Sequence, residues 1–174
     1  MKNKIPCENL CKNVVEYVPT YIGKKAGILF VLNKPDKRVL QTDLFIDYLG
    51  VLAKSKTGGI LGEILHYCNL NVEEIMITNL FKCIRDTDNH SIRSTNPTRK
   101  EYQKCSRILK EELRELNPSK TIIFGAIGRK LLSKEELGLE KCLFTDHPSY
   151  IWSKQNMGIK EERYYGGIKQ FLED

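Results

Sequence analysis

Asn33, Asn79 and His147 each follow a short apolar run, and they have the side-chain types that recognise and activate a polar ligand. A carboxamide offers a donor and an acceptor side by side, and an imidazole gives or takes a proton near neutrality. His147 is one of three histidines. It is followed by Pro148, which stiffens the loop, whereas His66 fits a helical pattern and His90 a polar loop. Six cysteines stand beside these residues, at positions 7, 11, 68, 83, 105 and 142. Six is too few for a disulfide scaffold in a chain of 174 residues, and a reducing compartment disfavours disulfides. That leaves buried thiols, a reactive thiol or metal ligands. Cys68 and Cys142 sit within apolar patterns and read as core.

These residues are positioned by four apolar runs, at 27–32, 74–78, 121–124 and 141–145. Each is continuously apolar rather than alternating, as in strands covered by helices on both faces. Helical patterns lie between them. Residues 57–70 place Ile60, Leu61, Ile64, Leu65 and Cys68 three and four apart. Residues 97–116 open with the Thr98/Glu101 capping-box spacing and set Tyr102, Cys105, Ile108, Leu109, Leu113 and Leu116 on one face. A short helix is predicted over 126–132, another around 43–53, and a last one over about 161–172, weakened by Gly166 and Gly167. Strands alternating with helices predict an α/β fold, a single-domain three-layer α/β/α sandwich over 1–174 with a central four-stranded parallel sheet.

Ligands in such folds bind beyond the carboxyl ends of the strands. That rule selects 33–36, 79–83, 125–128 and 146–149, so two asparagines and a histidine share one rim. Basic residues follow the same geography: Lys34, Lys37 and Arg38, then Lys82 and Arg85, then Arg129 and Lys130, then Lys154. The net charge of +6 is compatible with a polyanionic partner, and a positive rim suits phosphate contacts. Hydrophobic residues at 41% and only 18 Pro plus Gly exclude a disordered or collagen-like chain. The apolar runs are far shorter than the ~20 residues of a bilayer span, and the first residues lack a secretion signal. The expectation is an intracellular monomer, in cytoplasm or nucleoid, with no membrane partner.

Several segments, in order, resemble the uracil-DNA glycosylase superfamily, particularly its iron–sulfur branch (family 4 and its relatives). They are Cys7 and Cys11, the loop Leu32-Asn-Lys-Pro-Asp36, Gly58-Gly-Ile-Leu61, Ile77-Thr-Asn-Leu-Phe-Lys-Cys83, Asn96-Pro97 with Cys105, and His147-Pro-Ser149. The sequence also departs from that pattern. Three residues rather than two separate the first cysteines, and the family's loop glutamate is replaced by Asn33.

The resemblance implies a base-excision DNA-repair enzyme acting on uracil- or modified-base-containing DNA. Such an enzyme extrudes the nucleotide, reads its Watson–Crick edge and hydrolyses the N-glycosidic bond, leaving an abasic site. It implies that Asn79 reads the base, that His147 donates to O2 of the departing base, and that Asn33 takes the place of the water-positioning acid, with Asp36 and Asp146 as substitute carboxylates. Phe45 is expected to stack on the base, ahead of Tyr48, and Lys34 to bind phosphate. A strand after His147 leads into Ser149-Tyr150-Ile151-Trp152, where the family inserts an apolar wedge into the duplex. Ser149 and Tyr150 are the DNA contacts expected there, with Ile151 an alternative wedge. Cys7, Cys11, Cys83 and Cys105 would hold a 4Fe–4S cluster, zinc being the alternative and a buried thiol the bland reading of Cys105. Asparagine in place of the acid predicts slow or selective hydrolysis. It also keeps open a second reading, a catalytically weak or inactive DNA-binding module. The Gly125-x-x-Gly128 pair is too short for a dinucleotide fingerprint.

Overall fold

The four apolar runs become four adjacent parallel strands of one sheet. The structure, a computed structural model, describes residues 14–35, 56–85, 97–133, 141–152 and 159–174. Strands β1 (Val14–Tyr17), β2 (Tyr21–Ile22) and β3 (Ile28–Leu32) are followed by helix α1 (Lys56–Tyr67). A 3-10 turn at Val72–Glu74 leads into β4 (Ile75–Asn79), then β5 (Cys83–Arg85) and helix α2 (Arg99–Leu116). Strand β6 (Lys120–Phe124), helix α3 (Ala126–Leu131), strand β7 (Cys142–Thr145), and helices α4 (Pro148–Trp152) and α5 (Ile159–Glu173) complete the order.

The main sheet runs β2-β4-β3-β6-β7, with β4, β3, β6 and β7 parallel. The predicted four-stranded parallel core is therefore present, and the antiparallel edge strand β2 extends it to five. Side chains alternate across the sheet. Leu29 and Val31 of β3 pack with Met76, Ile123 and the α2 stripe Tyr102, Cys105, Leu109 and Leu113. Phe30 and Leu32 face the other way, into Ile60, Leu61 and Ile64 of α1 and Tyr164, Tyr165 and Ile168 of α5. These two apolar layers, one on each side of the sheet, make the α/β/α sandwich. Cys142 lies in the first layer and Cys68 packs at the margin of the second.

Helix α2 starts where its capping box predicts: the Glu101 carboxylate accepts from Thr98 N–H at 2.6 Å, and Thr98 Oγ1 accepts from Glu101 N–H. It ends at Asn117, in the left-handed conformation with φ 43°. Two features differ from the sequence expectation. Strands β1 and β5 pair into a separate two-stranded ribbon, with Tyr17 opposite Cys83. The segment after His147 is the helix α4 rather than a strand, with Pro148 at its first position, where a missing N–H is no loss. The expected last helix is α5, which runs through Gly166 and Gly167 without interruption. The helix predicted at 43–53 lies outside the described residues.

Candidate active site

The rim is built strand by strand. Register pairs Leu32 of β3 with Asn79 of β4, so Asn33 and Asn79 leave neighbouring strand ends. Beyond the last ladder pair, Leu80 N–H donates to Leu32 O at 2.7 Å and Phe81 N–H to Asn33 O at 2.9 Å, which fixes both backbones past the strands. Gly125 ends β6 next door. Its N–H donates to Thr145 O of β7 at 2.8 Å, two residues before His147. The four strand ends together span three interstrand spacings of about 4.8 Å each.

Two glycines allow this closeness. Gly125 has φ 98° and ψ 160°, a region only glycine occupies readily, and a β-carbon there would stand 3.0 Å from Asn33 Nδ2. At Gly128 a β-carbon would stand 2.4 Å from Ile123 Cγ2, so α3 packs directly on β6. The Gly125-x-x-Gly128 pair is thus a packing device on the rim.

Asn79 is 3% exposed, and its Oδ1 is buried with no hydrogen-bond partner. Asn33 Oδ1 is in the same condition. A buried acceptor left unpaired costs about 1–3 kcal/mol, so both carboxamides are set to receive a donor from a ligand or a water. His147 is half-buried, and Ser149 turns its hydroxyl (2.8 Å) and backbone N–H (3.3 Å) toward His147 Nδ1. A backbone N–H can only donate, so Nδ1 is the acceptor and the neutral ring carries its proton on Nε2. Burial lowers the His147 pKa to about 4, which keeps the ring neutral at physiological pH. Below it, the Tyr164 hydroxyl of α5 donates to Asp146 O at 3.1 Å and holds the strand end that carries the histidine. Burial first, and Tyr165 and Asp146 next, keep that phenol protonated.

The predicted basic rim needs one correction. Lys82 is not on the surface: it is 0% exposed, and its ammonium bonds Glu112 of α2 and Thr78. Burial pushes its pKa down and the Glu112 carboxylate pushes it back up. Its charged partner Glu112 is 30 residues away in sequence, so nothing local signals the ion pair. Arg129 and Lys130 are exposed and Lys34 is half-buried. Of the wedge candidates, Ile151 is core at 7% exposure, whereas Tyr150 is 49% exposed and Ser149 is exposed beside it. Asp146 is exposed at the rim. Phe45, Tyr48, Asp36, Lys37, Arg38 and Lys154 lie outside the described residues.

Cys83 and Cys105 are both buried within one apolar layer, on β5 and α2. Two enclosed thiols on neighbouring elements suit a soft metal or an iron–sulfur group. Cys7 and Cys11 lie outside the described residues. Among the described residues, no three His, Cys, Asp or Glu side chains converge on one point.

Two buried carboxamide oxygens without partners and a histidine protonated on Nε2 therefore share the carboxyl rim of an α/β sandwich. The chain belongs to the Uracil DNA glycosylase superfamily, whose family model matches residues 19–172. It is also similar to a type-4 uracil-DNA glycosylase of Archaeoglobus fulgidus, with 28% identity over 124 residues. That match covers 71% of this chain and 56% of the relative, so it spans little more than half of the relative's length. Among the described residues no helix is long and apolar enough to cross a membrane.

Proposed function

We propose that this chain is a monofunctional DNA glycosylase, one domain over 1–174, that excises uracil or a related modified pyrimidine. The observation that carries the reading is the buried, unpartnered Oδ1 of Asn79 at a strand end. Uracil presents an N3–H donor beside an O4 acceptor, and a carboxamide is the matching acceptor and donor. Cytosine reverses both polarities and would leave two buried groups unpaired, at about 1–3 kcal/mol each. Extrusion of the nucleotide brings that edge into reach.

Chemistry then follows from the neutral imidazole. As the C1′–N1 bond breaks, its electron pair passes to the base and negative charge gathers on O2. A neutral Nε2–H aimed at that oxygen stabilises the charge where it develops. The sugar is left electron-poor at C1′, and a water held by Asn33 Oδ1 adds its oxygen there. The released proton leaves to solvent or to the base, and an abasic site remains. Asparagine holds water but does not accept its proton, so turnover is slower than with a carboxylate, unless Asp36 or Asp146 serves. Phe45 stacks on the base, Lys34 and Ser149 contact phosphate, and Tyr150 on α4 fills the space left in the duplex.

Cys83 and Cys105, with Cys7 and Cys11, are the residues that would hold a 4Fe–4S cluster. Bound there, it would tie the N-terminal segment to β5 and α2. The partner is DNA, and the enzyme acts as a monomer inside the cell.

The test is incubation with a uracil-containing oligonucleotide followed by alkali, which cleaves abasic sites and gives a nicked product. The second reading, a DNA-binding module without turnover, is favoured by Asn33 standing where the family has an acid. Equal binding of intact and uracil-bearing DNA, with no nick from any pyrimidine lesion, would establish it and retire the first.

A further inference from the structure

The glycosylase chemistry leaves one buried charge network unused. The Lys82 ammonium bonds Glu112 and Thr78 and lies 3.4 Å from Thr20 Oγ1. The Glu112 carboxylate also accepts from the Tyr17 hydroxyl at 3.0 Å and the Thr20 hydroxyl at 2.9 Å. An enclosed ion pair of this kind rarely stabilises a fold more than apolar side chains of the same volume would. Its position suggests what else it does.

The pair is polarised. The ammonium end is fully enclosed, whereas the Glu112 side chain keeps 18% exposure and is screened by solvent. Lys82 immediately precedes Cys83. Cys105 stands on α2 seven residues before Glu112, two turns along the same helical face and a rise of about 10.5 Å. Phe81 and Cys83, the two chain neighbours of Lys82, pack with Cys105 in one buried layer, so the enclosed ammonium shares that low-dielectric interior with both sulfurs. Four thiolates outweigh the positive charge of an iron–sulfide core, so a cluster held here would be a buried net anion. Net charge around such a cluster is one of the terms that set its reduction potential.

We infer that Lys82 is the counter-charge of the sulfur site, a positioning and tuning residue for the group that Cys83 and Cys105 hold. This rests on the reading of those cysteines as cluster ligands. Thr78, Glu112 and Thr20 take up the three directions of the ammonium, so Lys82 acts on the sulfurs through space and is not a ligand. Glu112 in turn holds Lys82 in place, and the Tyr17 and Thr20 hydroxyls brace Glu112.

The experiment compares wild type, the double variant Lys82→Met/Glu112→Leu and the single variant Glu112→Gln, all purified anaerobically. Iron and acid-labile sulfide per chain, the rate of iron loss to a ferrous chelator, and the midpoint potential in a dithionite titration are measured. The double variant removes both charges and leaves neither orphaned, so its circular dichroism should match wild type. It should nevertheless lose iron about tenfold faster or more, as expected when a metal's outer shell is disrupted. Its potential should fall, because an electron is added to the cluster with one fewer positive charge beside it. Glu112→Gln keeps the lysine and removes its negative partner, so its potential should rise. Iron retention and potentials unchanged in both variants would overturn the assignment and leave the ion pair purely structural. A colourless wild-type protein, or one holding zinc, would instead overturn the cluster reading before any variant is made.

Discussion

The Asn33 carboxamide occupies the space beside Gly125, its Nδ2 3.0 Å and its Oδ1 3.1 Å from where a β-carbon would stand. One atom added just past β6 would therefore press on the side chain just past β3, which must give by a few tenths of an ångström. Gly125→Ala should combine this pressure with a strained backbone angle, at about 1–3 kcal/mol for the angle alone. Thermal unfolding should show the loss of stability. Excision of uracil should fall further than that loss explains, because the carboxamide that holds water is displaced. A variant with wild-type activity would show that Asn33 does no work in the site.

Asn79→Ala should weaken excision of uracil roughly tenfold or more, since two complementary bonds to the base are lost at about 1 kcal/mol each. Affinity for DNA without a lesion should hardly change, because phosphate contacts dominate it. Binding and single-turnover measurements on matched oligonucleotides separate the two effects. Equal loss in both would make Asn79 a structural cap.

His147 gives a pH signature with a definite sign. Its pKa is about 4 in the folded protein against 6.5 for an ordinary histidine, so the unfolded chain binds the extra proton first. The contribution to stability is whole above about pH 6.5 and is lost as pH falls toward 4. Urea denaturation at pH 7 and pH 5 should show wild type losing stability across that window, and His147→Gln losing less. Turnover that depends on the neutral ring should persist well below pH 6.5. An activity limb centred near 6.5 would mean that the imidazole is solvated.

Tyr164→Phe should remove the bond to Asp146 O, at a cost of about 1 kcal/mol in stability. It should lower turnover on uracil while leaving DNA affinity intact, because it loosens the strand end that carries His147. Single-turnover rates beside equilibrium binding test it. Unchanged turnover would confine Tyr164 to packing.

Much of the fold was legible because its signals are local. The four parallel strands announce themselves as unbroken apolar runs, and α2 as a capped stripe with period 3.6. Asn33, Asn79 and His147 were found by the rule that ligands gather beyond strand ends, with a family resemblance supplying their roles. Most of the rest lacks a local signal. Strands β1, β2 and β5 have two to four residues each and pair in a small ribbon or at one sheet edge, so their hydrogen bonds depend on partners far along the chain. Helix α4 is the exception, because Pro148 at its first position is a local signal for a helix start. The burial of Lys82 was not readable, because a lysine after a strand looks the same whether it meets solvent or Glu112.

Strand β1 also dictates an order of events. Its partner β5 lies about seventy residues downstream, and Tyr17 bonds a carboxylate ninety-five residues away. On a ribosome, β1 must wait until β5 and α2 have been synthesised before it finds its partners. Contacts of such long range form slowly, so the ribbon lags behind helices that need only their own turns to form.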